Sequence, residues 1–131
     1  GIIDCIASDH SPHDVESKRV PFAQAAAGGI GLETLLPVSL GLTHNRSVSL
    51  SNLLKCMTSR PAEILGLPQG RLAKGAPADM TIIDLEHQHK IDLGAFHSKS
   101  KNSPFDEKVL QGRAIRTWVL GRRVYDYVDL A

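Results

Sequence analysis

The chain is poor in the features that mark several large functional classes. Aromatic residues make up only 5% of its 131 residues, too few for the stacking platforms that bind single-stranded nucleic acid. A formal net charge of +1 gives no electrostatic case for nucleic acid or an anionic membrane. Lys18-Arg19 and Arg122-Arg123 are isolated basic pairs, expected on the solvated surface. No apolar run approaches the roughly 20 residues of a membrane span. The two cysteines, Cys5 and Cys56, lie far apart and read as buried thiols of a reduced compartment rather than a disulfide framework. A cytoplasmic address is therefore the default. Neither GxGxxG nor GxxxxGK[ST] occurs, and there is no serine nucleophile elbow, so the motif-based cases for nucleotide binding and for serine hydrolysis are absent.

What is present is the composition of a soluble globular protein, 42% hydrophobic and 22% charged, at a length that can bury one core. Gly1 is not a natural start and no signal peptide precedes the first strand. The chain is expected to be a processed product, a trimmed form or one piece of a longer polypeptide.

Residues 2–7 read as a fully buried strand, and residues 9–30 as a loop far longer than the usual roughly 4–6 residues. Leu32, Leu35, Leu36 and Leu40 have helical spacing, predicting a helix from Gly31 to Leu42 with Pro37 bending it or in its first turns. Leu50, Leu53, Leu54 and Met57 predict a second helix with Ser49 as N-cap. A third should cover Pro61 to Leu65 and end at Gly66. Beyond Leu67 the pattern turns to strands. Asp79 to Leu85 is one strand, residues 94–112 a polar loop, and Ala114–Leu120 with Arg123–Tyr125 a hairpin. Its turn is assigned to Gly121-Arg122, a pair suited to type II′ geometry.

Chemistry gathers after the first strand, in Ser8-Asp9-His10-Ser11-Pro12-His13. In parallel barrels, catalytic groups sit at the C-terminal ends of strands. Asp9 there can cap the loop through backbone amides, or act as metal ligand and general base; an acid with two histidines in five residues draws attention to the second reading. His10 suits packing or orienting the loop, and His13 is better placed to meet an anion. Glu33 and Thr34 follow the glycines of Gly28-Gly29-Ile30-Gly31, where a helix start can bind an anion or the glycines can simply permit close packing. His87-Gln88-His89 has metal-ligand spacing, but a polar surface turn is its simpler account.

The segment Ser8–His13, followed by Lys18-Arg19-Val20-Pro21-Phe22 and Gly28–Thr34, resembles the dihydroorotases, zinc-dependent cyclic amidohydrolases of pyrimidine biosynthesis. Gly70–Met80, Ser98–Phe105 and the Arg116-Thr117…Gly121…Val124-Tyr125 pattern are similar to the small β-domain of the same family. The resemblance implies an α/β fold. Residues 1–66 would be the end of a (β/α)8 barrel, with its last strand and following helices. Residues 67–131 would be the C-terminal part of the small β-domain.

The resemblance also implies roles. Asp9 matches the strand-end aspartate that ligates a metal and handles the proton of a metal-bound hydroxide, zinc being expected as one or two ions whose other ligands lie outside this chain. His13 matches the residue that holds the substrate carboxylate, and Ala27 and Gly28 the pair whose backbone contacts substrate. The implied reaction interconverts dihydroorotate and N-carbamoyl-L-aspartate, with activity requiring the missing part of the barrel. The implied partners are that remainder, a second copy, or aspartate transcarbamoylase. A hydantoinase- or allantoinase-type amidohydrolase and a non-catalytic dihydroorotase-like scaffold are the alternatives. Ala26-Ala27 stands where bulkier residues are frequent in the family, which leaves the loop shape open.

Overall fold

The structure, a computed structural model, describes residues 2–128. The expected second portion therefore runs beyond the described residues at 129–131. The α-helices precede residue 66 and the strands follow it, as the sequence pattern predicts. The expected 9–30 loop contains one helical turn and a 3₁₀ turn at Phe22–Gln24, and a second 3₁₀ turn lies at Leu93–Ala95. In order the α-helices and strands are α1 (Val15–Lys18), α2 (Leu35–His44), α3 (Leu50–Met57), α4 (Ser59–Leu65), β1 (Met80–Lys90), β2 (Val109–Val119) and β3 (Arg122–Asp126). Among the described residues no helix is long and apolar enough to cross a membrane.

Local chemistry accounts for most boundaries. The Ser49 side chain accepts from the Asn52 N–H at 3.3 Å and opens α3 at the predicted residue. Gly66 closes α4 in the left-handed conformation, with φ at 66°, where a side chain would cost energy. Pro37 falls in the first turn of α2, where a missing N–H breaks no helical bond. Helix α2 starts at Leu35 rather than Gly31. Pro37 has no N–H to bond the Glu33 carbonyl, and the Gly31 and Leu32 amides before the helix donate to the ring of His10.

The strands form one antiparallel sheet in the order β1-β2-β3. Strand β1 runs to Lys90, so His87-Gln88-His89 is strand and not a surface turn. Likewise β2 begins at Val109, inside the expected polar loop. The hairpin pairs Val119 with Arg122, which makes Leu120-Gly121 the turn. Both have positive φ, 50° and 77°, a type I′ arrangement in place of the expected Gly121-Arg122 type II′ turn. The Leu120 N–H bonds Asp79 Oδ1 at 2.7 Å, fixing that register.

Residues 2–7 belong to no sheet. The expected buried strand is extended chain, because no other described segment runs alongside it to form a parallel ladder. It is held instead by side contacts. The Ile6 N–H donates to Cys56 O at 3.0 Å, and Asp4 pairs with Arg60 at 2.8 Å. Arg60 holds the Asp4 carboxyl below its usual range. Cys5 and Cys56 are free thiols of intermediate exposure.

The core is small: Ile30, Leu40, Leu53, Ala62 and Ile91 are its buried apolar side chains. Its centre is the contact of α2 with β2. Gly112 has φ at 100°, and a Cβ there would overlap Leu40 Cδ1, so the helix can lie against the strand only because this residue has no side chain. Gly112 faces a bulge in β1, where register skips from Asp84 to Gln88. Asp84 Oδ1 shapes that bulge by accepting from the Glu86 and His87 amides. Large apolar side chains remain on the outside, with Ile2 and Phe22 almost completely exposed.

Candidate active-site loops

Two segments distant in sequence meet where residues 8–13 pass residues 26–31. His10 pairs with Gly29 in a parallel bridge, and the Ser11 N–H donates to Gly29 O at 2.9 Å. Contact this close needs glycine on one side. A Cβ on Gly28, where φ is 92°, would lie 2.7 Å from Ser11 Cβ, and one on Gly31 would strike the Ser8 carbonyl oxygen. The glycines thus serve close packing, one of the two functions their spacing allows.

Asp9 stands at the turn between the extended segment and the loop. Its φ is 42°, a left-handed conformation uncommon for a residue with a side chain. Aspartate tolerates this region better than most residues, and such outliers concentrate at functional sites. The side chain is exposed. Ser11 Oγ donates to the Asp9 carbonyl at 3.3 Å, so the backbone around the acid is fixed while the carboxylate faces outward.

The two histidines divide the work. His10 Nδ1 accepts from the Gly31 and Leu32 amides at 3.2 and 3.4 Å. An accepting Nδ1 leaves the neutral ring's proton on Nε2. His10 therefore orients the loop, as one of its sequence readings had it. His13 Nε2 lies 2.8 Å from the Ala27 carbonyl and donates to it. Three of the four expected site residues, His13, Ala27 and Gly28, are so brought onto one pair of loops, with Asp9 four residues before His13 in sequence.

Three further residues build this face. Lys18, expected as solvated surface, is half-buried and its Nζ donates to Ala26 O at 2.6 Å and Gly28 O at 3.0 Å. A lysine beside an arginine gives no sign in the sequence that it folds back on its own loop. Glu33 ties the segment before α2 to a distant part of the chain. Its carboxylate accepts from the His97 and Ser98 amides at 3.0 and 3.1 Å. Asn102 reaches in from the same distant segment, accepting from the His13 N–H at 3.2 Å and donating to Ser11 O at 2.9 Å. The one sequence signal for Asn102 was the Ser98–Phe105 block.

A metal needs more donors than this face offers. A zinc site takes about four ligands, and among the described residues no group of three or more His, Cys, Asp and Glu side chains converges. Asp9 supplies one carboxylate. The His87 and His89 rings are 5.7 Å apart, and His87 stacks edge-on against Tyr127 at 5.3 Å. Arg113 lies over the same Tyr127 ring at 4.0 Å, so these side chains form a packed aromatic and cationic cluster. Burial, then the charge of Arg113, lowers the His89 pKa from its ordinary value.

Two concavities lie away from Asp9. One of about 350 Å³ is bounded by the start of α2 and the sheet; one of about 800 Å³ lies between α4 and the β1–β2 edge, lined by residues such as Leu65, Met80 and Trp118.

The chain is 51% identical over 128 residues to a dihydroorotase of Ehrlichia canis and 53% identical over 125 residues to one of Anaplasma phagocytophilum. These matches cover 98% and 95% of the chain but 29% and 28% of those proteins. The fold superposes on the L-hydantoinase (dihydropyrimidinase) of Arthrobacter aurescens with a TM-score of 0.91 at 36% identity, covering 96% of this chain and 29% of that one. That superposition makes the architecture the α/β arrangement of a portion of an amidohydrolase barrel protein. Residues 1–125 match the amidohydrolase family model, and the chain belongs to the amidohydrolase family.

Proposed function

We propose that this chain is the part of a dihydroorotase that carries its general base and its substrate-carboxylate loop. The observation that carries this reading is the convergence of the Asp9–His13 segment with the Ala27–Gly31 segment. Identity near one half to dihydroorotases along almost the whole chain supports it. In this reading the protein is a cytoplasmic enzyme of pyrimidine biosynthesis. The apolar side chains left outside, Ile2 and Phe22 among them, lie against the remainder of its barrel.

The residues divide the reaction. His13 holds the substrate carboxylate. A neutral imidazole has one donor and an imidazolium two, so the charged ring can keep its bond to Ala27 and donate to a carboxylate at once. The carbonyls of Ala27 and Gly28 already accept from His13 and Lys18, and an anionic substrate needs donors, so the backbone contact from this pair is assigned to its N–H groups. The Asp9 carboxylate takes the proton of the attacking water and delivers it to the ring amide nitrogen as the C–N bond breaks. The product is N-carbamoyl-L-aspartate, and the reverse sequence closes the ring with loss of water. Zinc, when bound, supplies a water acidic enough to be hydroxide near neutral pH, since the cation lowers its pKa to about 7. Asp9 is one donor to it, and the others lie on parts of the barrel outside this chain.

The test is an assay of the full-length polypeptide for metal-dependent interconversion of dihydroorotate and N-carbamoyl-L-aspartate. The 131-residue chain alone is expected to give no turnover, and activity of the isolated chain would overturn the ligand assignment. Hydantoin hydrolysis is a second reading, favoured by the fold match at 36% identity. Hydantoin lacks the ring carboxylate, so faster turnover of hydantoin than of dihydroorotate would select it.

A further inference from the structure

We propose that Asn102 is a positioning residue for carboxylate recognition, acting through His13 and the glycine-rich loop rather than touching substrate. The inference rests on the dihydroorotase reading of the site. Among the described residues, Asn102 is the one side chain from outside the two converging segments that bonds to both. Its Oδ1 accepts from the His13 N–H at 3.2 Å, and its Nδ2 donates to Ser11 O at 2.9 Å and, at 3.5 Å, weakly to Gly28 O. Its own carbonyl accepts from the Ile30 N–H at 3.1 Å. The backbone comes equally close, since a Cβ on Gly29 would lie 3.0 Å from that carbonyl oxygen.

The chemistry of the side chain fits no other residue type of its size. A primary amide presents an acceptor and two donors in one plane. Aspartate keeps the acceptor for His13 but turns a carboxylate toward the carbonyl oxygens of Ser11 and Gly28. The segment bearing Asn102 is itself fastened, since Glu33 takes the His97 and Ser98 amides and Lys101 Nζ donates to Phe96 O at 3.0 Å. A rigid support carries the amide to the loops, and the amide sets where the His13 ring stands relative to Ala27 and Gly28. Asn102 makes no bond to Asp9, whose carboxylate is exposed and whose link to these loops is the Ser11 hydroxyl on its carbonyl, so loss of the amide bears on binding before proton transfer.

The experiment uses the full-length enzyme with Asn102→Ala, Asn102→Asp and the double variant with His13→Ala. Asn102→Ala should raise KM for dihydroorotate about 10-fold, the size of one lost hydrogen bond, with kcat within about 3-fold because proton transfer is untouched. Asn102→Asp, nearly isosteric, should raise KM at least as much, and it serves as the measurement if the alanine variant does not fold. In the His13→Ala background the KM effect of Asn102→Ala should largely disappear, since both act on one contact. Variants with lowered Tm and unchanged KM, or KM effects that multiply in the double variant, would overturn the positioning role. A wild-type enzyme unable to turn over dihydroorotate removes the functional reading and this role together. An active wild type whose Asn102 variants keep KM removes this role alone.

Discussion

The imidazole of His13 donates from Nε2 to the Ala27 carbonyl across 2.8 Å, tying the loop that follows Asp9 to the glycine-rich loop. The same ring is the proposed grip on the substrate carboxylate, so the group that shapes the site also reads the ligand. His13→Ala removes both functions. KM for dihydroorotate is expected to rise roughly 10–100-fold, in line with hydrogen bonds to charged groups. Steady-state kinetics on the full-length enzyme would refute this if kcat alone changed.

Asp9 has an exposed side chain on a backbone held at φ 42°. Asparagine tolerates that backbone equally well, so Asp9→Asn isolates the carboxylate. Turnover should fall by at least roughly 10²–10⁴-fold, the usual worth of a general base, with the fold of the metal-free protein retained. Residual activity within 10-fold of wild type would remove Asp9 from proton transfer.

Gly112→Ala tests the packing of α2 on β2. The added methyl meets Leu40 and the residue must keep φ at 100°. Overpacking and backbone strain together should cost about 2–4 kcal/mol. Calorimetry of the full-length variant should show a clear drop in Tm, and an unchanged Tm would mean that helix and strand can move apart without loss.

His89 gives a pH dependence with a defined sign. Burial first, and the neighbouring Arg113 charge second, hold its folded-state pKa below the ordinary 6.5. The folded protein therefore favours the neutral ring. Its contribution to stability is present above the unfolded value and is lost as pH falls from there through the folded value. Its Nδ1 is buried and has no hydrogen-bond partner among the described residues. His89→Gln should flatten the decline of Tm on acidification below pH 6.5. Superimposable Tm profiles for variant and wild type would exclude His89 as the group responsible.

Where local chemistry decides structure, the sequence was sufficient. Ser49 and Gly66 mark helix ends because a hydroxyl cap and a left-handed glycine need only their immediate neighbours. Residues 2–7 show the opposite case. Their apolar run satisfies the pattern of a buried strand, yet a strand exists only with a partner, and the described chain offers none. His87 to His89 were misplaced because alternating polar residues suit either a turn or a strand, and pairing with β2 decides between them. At the site, the motif around Asp9 was legible as chemistry. Lys18, Glu33 and Asn102 were not legible in their roles, since each acts through a backbone contact that leaves no residue pattern.

Asn102 lies 89 residues beyond His13, and that separation has a consequence for how the protein is made. At synthesis rates of roughly 5–20 residues per second, the loop leaves the ribosome on the order of ten seconds before the residue that braces it. During that interval the Ser11 carbonyl and the His13 amide lack the side chain that pairs with them, although Ala27, the partner of the His13 ring, is already made. A nascent chain halted before Asn102 would carry the acid of the site without the support that arranges its loops.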